Sequence, residues 1–254
     1  MRRLRRVSGV VFDCDSTLSA IEGIDELAGP HRREIEELTD AAMRGAVPLE
    51  SVYGRRLEII RPTRRQVEAL ARQYVERLVP DAAEVVRALL FEGVDVRIMS
   101  GGLLPAVEAV GEALGLPAGK VSAVGIHFHD DGTWAGYEAR SPLARSGGKH
   151  EVMTLLRREI GGPVIMVGDG MTDLEAAGVA DLFVAYAGVV LRPAVVAEAD
   201  VVIRGLSLAP VLPLALGGEP ARSAAVQDLY SRGLSLLEEE YRAFFTYSNG
   251  GNPE

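Results

Sequence analysis

The sequence has one cysteine, Cys14, in 254 residues. That count excludes an intramolecular disulfide framework and a four-cysteine zinc site. No run of about eighteen apolar residues occurs, so no membrane-spanning helix is expected. An excess of positive charge is missing too: 36 Asp and Glu stand against 27 Lys and Arg, a formal net charge of −9. Such a field argues against general binding to nucleic acid or to an anionic membrane. It leaves room for an anionic small molecule, because a local cluster of cations overrides the global field. Internal repeats are absent. The opening Met1-Arg2-Arg3-Leu4-Arg5-Arg6 has the charge of a signal peptide, but Asp13 and Asp15 interrupt the apolar stretch behind it. That stretch therefore reads as a buried strand behind a solvated arginine leader, and a cytoplasmic protein is expected.

What is present describes a globular enzyme-sized chain. The hydrophobic fraction is 48%, and 254 residues suffice for an α/β core with a small extra domain. Val7 to Phe12 is a short valine-rich run that ends in two carboxylates, the pattern of a central parallel strand. From Glu22 to Val79 the text turns helical and charged, with prolines at 30, 48, 62 and 80 dividing it into short helices. Thr63 with Gln66 predicts a capping box at the last of these. Strands then alternate with helices: helix 81–91, strand 94–99, helix 103–114, helix 149–160, strand 164–167, helix 173–177, strand 182–187 and strand 201–203. Residues 121–128 and 133–137, joined through Asp130-Asp131-Gly132, predict a hairpin. This alternation implies a mostly parallel sheet covered by helices. After Leu206, prolines and glycines predict a broken apolar linker, then a helix over 221–245 and a frayed tail from Ser248.

Parallel α/β sheets present reactive groups at the carboxyl ends of their strands. Three predicted strand ends carry such cargo: Asp13-Cys14-Asp15-Ser16-Thr17, Ser100-Gly101-Gly102, and Gly168-Asp169-Gly170-Met171-Thr172-Asp173. Lys149 follows Ser146-Gly147-Gly148 at a helix start. Taken singly, each has an ordinary reading as a turn, a cap or a solvated lysine. Taken together, they make a kit for phosphoryl transfer. Carboxylates converging on one point call for a hard cation, and Mg²⁺ prefers oxygen ligands. Lysine, serine hydroxyl and glycine amides would neutralise a phosphate. Asp13 and Asp15, two apart on extended backbone, can share a face, one attacking phosphorus while the other serves as acid and then base.

These motifs resemble the haloacid-dehalogenase superfamily of aspartate-nucleophile phosphatases, and within it the phosphoserine phosphatases. Similar runs include Phe12 to Leu18, Glu22-Gly23-Ile24-Asp25-Glu26-Leu27-Ala28, Met43-Arg44-Gly45-Ala46-Val47-Pro48 and Arg56-Leu57, besides the three motifs and Lys149. The similarity spans residues 7 to 206. It implies an α/β fold: a Rossmann-like doubly wound parallel sheet with an inserted small α-helical cap and a C-terminal helical extension. The core would comprise 1–20 and 80–206, the cap 21–79, and the linker and last helix 207–254. The resemblance makes Asp13 the nucleophile and a magnesium ligand, and Asp15 the general acid/base, which also binds Mg²⁺ through its carbonyl. Asp169 would be a further ligand, with Asp173 orienting metal waters or Lys149. Ser100, Gly101, Gly102, Lys149 and Thr172 would surround the phosphoryl group. Glu22 would meet the ammonium of O-phosphoserine and Arg56 its carboxylate, with Met43 and Gly45 lining the same space.

Two features depart from the family pattern: Arg44 stands where a glycine is expected, and the helix after Leu206 lies beyond the usual end. Packing on its own core is the expectation for that helix, with a homodimer contact or a partner surface as alternatives. A cysteine phosphatase is discounted, because Ala20 stands where an arginine six residues after Cys14 would be needed. His127 and His129 share a strand face without a third ligand, and His31 and His150 show no pairing. The aromatic stretch Tyr241 to Tyr247 reads as core. The same chemistry would serve a phosphotransferase or another phosphomonoester, although Arg56 disfavours choline-type substrates, which lack a carboxylate. A non-catalytic scaffold would not need Asp13.

Overall fold

The structure, a computed structural model, describes residues 5–43, 46–117 and 119–249, with positions 42–43 and 241–249 described by backbone alone. Arg2, Arg3, Arg44, Gly45, the tail from Gly250 and the side chains of Met43, Phe244 and Phe245 therefore lie outside the described residues.

The first apolar run forms β1 (Gly9–Phe12), buried at every position as a central strand requires. It pairs in parallel with β2 (Asp95–Leu103) on one side and with the later β6 (Val164–Gly168) on the other. Beyond β2 lies β3 (Val121–Val124); beyond β6 lie β7 (Leu182–Tyr186) and β8 (Val201–Ile203). The order β3-β2-β1-β6-β7-β8 is thus doubly wound, and the chain reverses its direction of travel between β1 and β6. Such a switch point opens a crevice above the strand ends.

The described residues after β1 form four α-helices, α1 (Gly23–Glu26), α2 (Arg32–Met43), α3 (Leu49–Ile60) and α4 (Arg64–Glu76), with a 3-10 turn at Gly29–His31 between the first two. The capping box at Thr63 and Gln66 starts α4, and Val67, Leu70 and Tyr74 form its buried face. The insert is entered and left through neighbouring segments bonded to each other, Ala20 N–H to the Arg77 carbonyl at 2.8 Å and Val79 N–H to the Leu18 carbonyl at 3.0 Å.

The remaining chain supplies α5 (Ala82–Phe91), α6 (Leu104–Ala113), α7 (Gly148–Ile160) and α8 (Met171–Ala177), which pack against the strands and each other. The expected strand 121–128 is divided at Gly125. Its first half extends the main sheet as β3, whereas β4 (Ile126–Phe128) pairs with β5 (Trp134–Tyr137) in a separate two-stranded hairpin. The Gly125 carbonyl accepts from Glu138 N–H, closing that hairpin at the point of division. His127 and His129 are both exposed on it. A short helix α9 (Pro193–Glu198) precedes β8 and was not expected.

The stretch read as a broken linker contains α10 (Val211–Ala215), and Leu208, Val211, Leu212, Ala215 and Leu216 are all completely buried. Its prolines and glycines break the helical period without exposing the apolar side chains between them. The last helix, α11 (Ala224–Asn249), buries Val226, Tyr230 and Leu237.

One buried carboxylate ties these parts together. Glu92 accepts from the Arg6 guanidinium at 2.7 Å and from the Arg222 backbone N–H at 2.7 Å. Removing it strands the Arg222 N–H and leaves Arg6 only the backbone carbonyl of residue 92, at a cost of roughly 2–3 kcal/mol. Glu92→Ala is expected to lower the melting temperature by about 5–10 °C while leaving the secondary structure of the folded protein unchanged; differential scanning calorimetry beside far-ultraviolet circular dichroism checks both.

Candidate active site

Three adjacent strands, β2, β1 and β6, end at the switch point. Asp13 follows β1 directly, its N–H still bonded to the Val167 carbonyl at 2.9 Å, so the sheet ladder itself fixes its backbone. The chain then wraps tightly: the Cys14 carbonyl accepts from the amides of Thr17, Leu18 and Ser19, and Ser16 takes a left-handed conformation with φ 52°. That conformation costs a non-glycine residue of order 1 kcal/mol. Cys14 itself is fully buried.

Asp169 follows β6, and Asp173 sits in the first turn of α8 with Oδ2 accepting from Gly170 N–H at 2.9 Å. A Cβ at Gly168 would lie 2.2 Å from Asp173 Cγ, so glycine is what permits the aspartate to fold back there. Lys149 is the second residue of α7, whose start is set by Gly147 at φ 73°. Its Nζ lies 2.6 Å from Asp173 Oδ1 and 2.8 Å from Asp13 Oδ1. Burial alone would lower the Lys149 pKa, but Asp13 and Asp173 more than offset it and hold the ammonium well above its usual range.

The carboxylates are electrostatically uncomfortable. Burial, and then the charge of Asp173, pushes the Asp13 carboxyl well up against the pull of Lys149. Burial also pushes Asp169 up, opposed by Arg192. Glu22 is raised to about 7, mainly by burial and then by Asp15. Its Oε1 accepts from Ser16 Oγ at 2.8 Å.

These groups test the fit of a metal ion. Asp13, Asp169 and Asp173 are buried, and each offers an oxygen within 4.8 Å of the others. Asp13 Oδ1 is paired with Lys149 at 2.8 Å and has no hydrogen bond of regular geometry among the described residues. Six carboxylates line the cleft, Asp13, Asp15, Glu22, Asp25, Asp169 and Asp173, and the three that converge most closely, Asp13, Asp169 and Asp173, are met by Lys149 and Arg192. The donor set suits a hard divalent cation.

The predicted residues are largely brought together. Asp13, Asp15, Glu22, Arg56, Gly101, Gly102, Lys149, Asp169, Thr172 and Asp173 line one cleft. Ser100 lies just beneath, its hydroxyl donating to Asp15 Oδ2 at 3.0 Å and accepting from Gly102 N–H at 2.9 Å. The pairing of β2 with β3 shifts register between Met99 and Leu103, so the Ser-Gly-Gly run leaves the regular ladder. Met43 ends α2, and its side chain is outside the description.

The insert walls the cleft opposite the strands. Arg56 of α3 is buried; its Nη1 donates to Thr39 Oγ1 at 2.8 Å, Thr39 donates to Asp25 at 2.6 Å, and Arg56 Nε has no hydrogen-bond partner among the described residues. The Tyr53 hydroxyl donates to the Gly101 carbonyl at 2.8 Å, and Leu49 N–H to Ser146 Oγ at 3.0 Å, so insert and core are in contact across the site.

Sequence reasoning missed two residues. Arg192, just before α9, donates to Asp169 and lies 3.3 Å from Glu22, yet nothing in its loop marks it as more than a surface arginine. Tyr74 donates from α4 to Asp15 Oδ1 at 2.5 Å. Its spacing with Val67 and Leu70 announces only a core position, which conceals its hydroxyl.

Comparison with known proteins finds a match of residues 10–178 to the family model of haloacid dehalogenase-like hydrolases. The chain is 41% identical over 186 residues to phosphoserine phosphatase of Homo sapiens, covering 72% of this chain and 83% of that one. It is 39% identical over 201 residues to the chloroplastic phosphoserine phosphatase of Arabidopsis thaliana, covering 77% and 68%. Among solved structures, a phospho-aspartyl intermediate analogue of phosphoserine phosphatase superposes with a TM-score of 0.71 at 26% identity, over 83% of this chain and 99% of that one.

Proposed function

The chain belongs to the haloacid dehalogenase-like hydrolases, among the phosphoserine phosphatases, and from that premise we propose that it hydrolyses O-phospho-L-serine to L-serine and phosphate through an aspartyl-phosphate on Asp13. One observation carries the substrate reading: the buried Arg56, whose Nε has no hydrogen-bond partner among the described residues, lines the cleft that also holds Glu22 and Asp13. A guanidinium with a free donor suits a carboxylate. Glu22 would take the ammonium, whose charge would draw its raised pKa back down.

Lys149 and the Gly101 amide would hold the phosphoryl oxygens, joined by the Ser100 hydroxyl once it turns from Asp15, with Thr172 lining the same space. Asp13 would attack phosphorus while Asp15 gives its proton to the departing serine oxygen. Asp15 would then take a proton from the water that attacks the phosphoenzyme. Asp173 would keep Lys149 aimed at Asp13, as their 2.6 Å contact supports. Mg²⁺, held by Asp13, the Asp15 carbonyl and Asp169, would supply positive charge to the transferring group. Arg192 would steady Asp169 and Glu22. The helical insert, residues 21–79, would serve as a cap that excludes bulk water.

Phosphate release from a panel of small phosphomonoesters tests the reading. O-phosphoserine is expected to lead the panel in kcat/KM, with activity lost in EDTA and restored by Mg²⁺. Equal rates for phosphoethanolamine, which lacks the carboxylate, would remove the substrate assignment. Serine or another alcohol in the mixture should leave phosphate release undiminished; a new phosphoester would instead mark a transferase.

A further inference from the structure

Resting on the reading of Asp15 as acid and base, the geometry assigns its two oxygens different tasks. We propose that Tyr74 of α4 and the Gly23 amide of α1 hold Asp15 by Oδ1, leaving Oδ2 to exchange the proton, so that two groups of the insert position the acid/base residue of the core.

Oδ1 accepts from Tyr74 Oη at 2.5 Å and from Gly23 N–H at 2.7 Å. With two short donors that oxygen is saturated. Among the described residues Oδ2 accepts only from Ser100 Oγ, at 3.0 Å, and Ser100 belongs to the phosphate side of the cleft. When that hydroxyl turns to a phosphoryl oxygen, Oδ2 is the free one.

Both holders of Oδ1 come from the insert, while Asp15 stands on the core loop behind β1. Tyr74 is completely buried, and its own carbonyl accepts from Ser19 Oγ at 3.0 Å, so its backbone is pinned beside that loop. The fit leaves no slack: a Cβ on Gly23 would lie 1.9 Å from Tyr74 Oη. Glycine at 23 is thus what lets a phenol and a backbone amide reach one carboxylate oxygen together.

The proton balance follows. As the Asp13 oxygen bonds to phosphorus and the ester P–O bond breaks, the proton on Asp15 Oδ2 passes to the leaving alkoxide. As water attacks phosphorus, Oδ2 takes its proton and the Asp13–phosphorus bond breaks. Tyr74 keeps its own proton throughout and is a positioning residue, one hydrogen bond removed from the chemistry.

Tyr74→Phe removes one oxygen from a packed site and should fold normally. The test is a series of phosphomonoesters running from phosphoserine to 4-nitrophenyl phosphate, whose leaving group departs without a proton. For phosphoserine, kcat should fall about 10- to 100-fold with KM within about 3-fold, a fraction of what acid/base catalysis supplies. For 4-nitrophenyl phosphate, the first turnover should stay within about 3-fold of wild type. A stoichiometric burst of nitrophenolate should follow, because the phosphoenzyme now waits on a poorly held base. Gly23→Ala, which displaces the phenol without deleting it, should show the same signature. Uniform loss across all esters without a burst, or no loss, overturns the proposal. A wild type without turnover, or an Asp13→Asn variant that still turns over, overturns the nucleophile reading as well. Wild-type activity with uniform Tyr74→Phe loss overturns only this one.

Discussion

Asp13→Asn is expected to reduce phosphoserine turnover by at least about 10⁴-fold and, in metal-free buffer at pH 8, to raise the melting temperature by several degrees. The first effect follows from deleting the proposed nucleophile. The second follows from the electrostatics of the same residue. Burial and the charges of Asp173, Asp169 and Asp15 all resist ionisation of Asp13, with only Lys149 favouring it. A carboxyl whose folded pKa is raised costs stability as pH rises from its unfolded pKa through its folded one. An amide of the same shape escapes that cost.

The sign can be checked within one experiment. The gain from Asp13→Asn should be largest at alkaline pH and shrink as pH falls toward the usual carboxylate range, where wild-type Asp13 is itself protonated. Added Mg²⁺ should stabilise the wild type more than the variant. Melting curves across pH, with and without Mg²⁺, measure all three. A variant less stable than wild type at pH 8 without metal would mean that the Lys149 contact outweighs burial and repulsion.

Arg56→Ala is expected to lower kcat/KM for O-phosphoserine by roughly 10²- to 10³-fold, the usual cost of removing one partner from a buried charge pair. The same variant should change kcat/KM for 4-nitrophenyl phosphate by less than about 10-fold, since that ester has no carboxylate. The loss should appear mainly in KM if the contact holds substrate and transition state alike, and in kcat if it aligns phosphorus with Asp13. Arg56→Lys should recover little, because an ammonium cannot span both Thr39 Oγ1 and a carboxylate as the guanidinium does. Equal losses on both esters would instead mean that Arg56 holds the insert together through Thr39 and Asp25.

Much of this arrangement was legible in the sequence for local reasons. Strands β1, β6, β7 and β8 are short apolar runs with turn residues behind them, and the carboxylates that follow sit where strand ends place them. The capping box at Thr63 and Gln66 announced α4 from two side chains alone. The division at Gly125 was illegible, because β3 and β4 differ in partner and not in pattern. Short helices such as α9 and α10 span too few residues to display a period. Arg192 escaped because its partners, Glu22 and Asp169, are 170 and 23 positions away and only the fold introduces them. Tyr74 escaped for the opposite reason, since a core position explained it completely until its hydroxyl had an address.

The paired crossing at Leu18–Ala20 and Arg77–Val79 gives the insert a single doorway, which makes the molecule modular. On the proposed reading, phosphoryl chemistry would reside on the strand ends, and recognition of the rest of the substrate in what hangs from that doorway. A helical module from another enzyme, spliced at these two segments, would leave the sheet register untouched and change which ester is admitted. Such a graft would inherit the nucleophile and the lysine for free, but it would have to bring its own phenol for Asp15, and chimeras chosen for pocket shape alone would arrive without it.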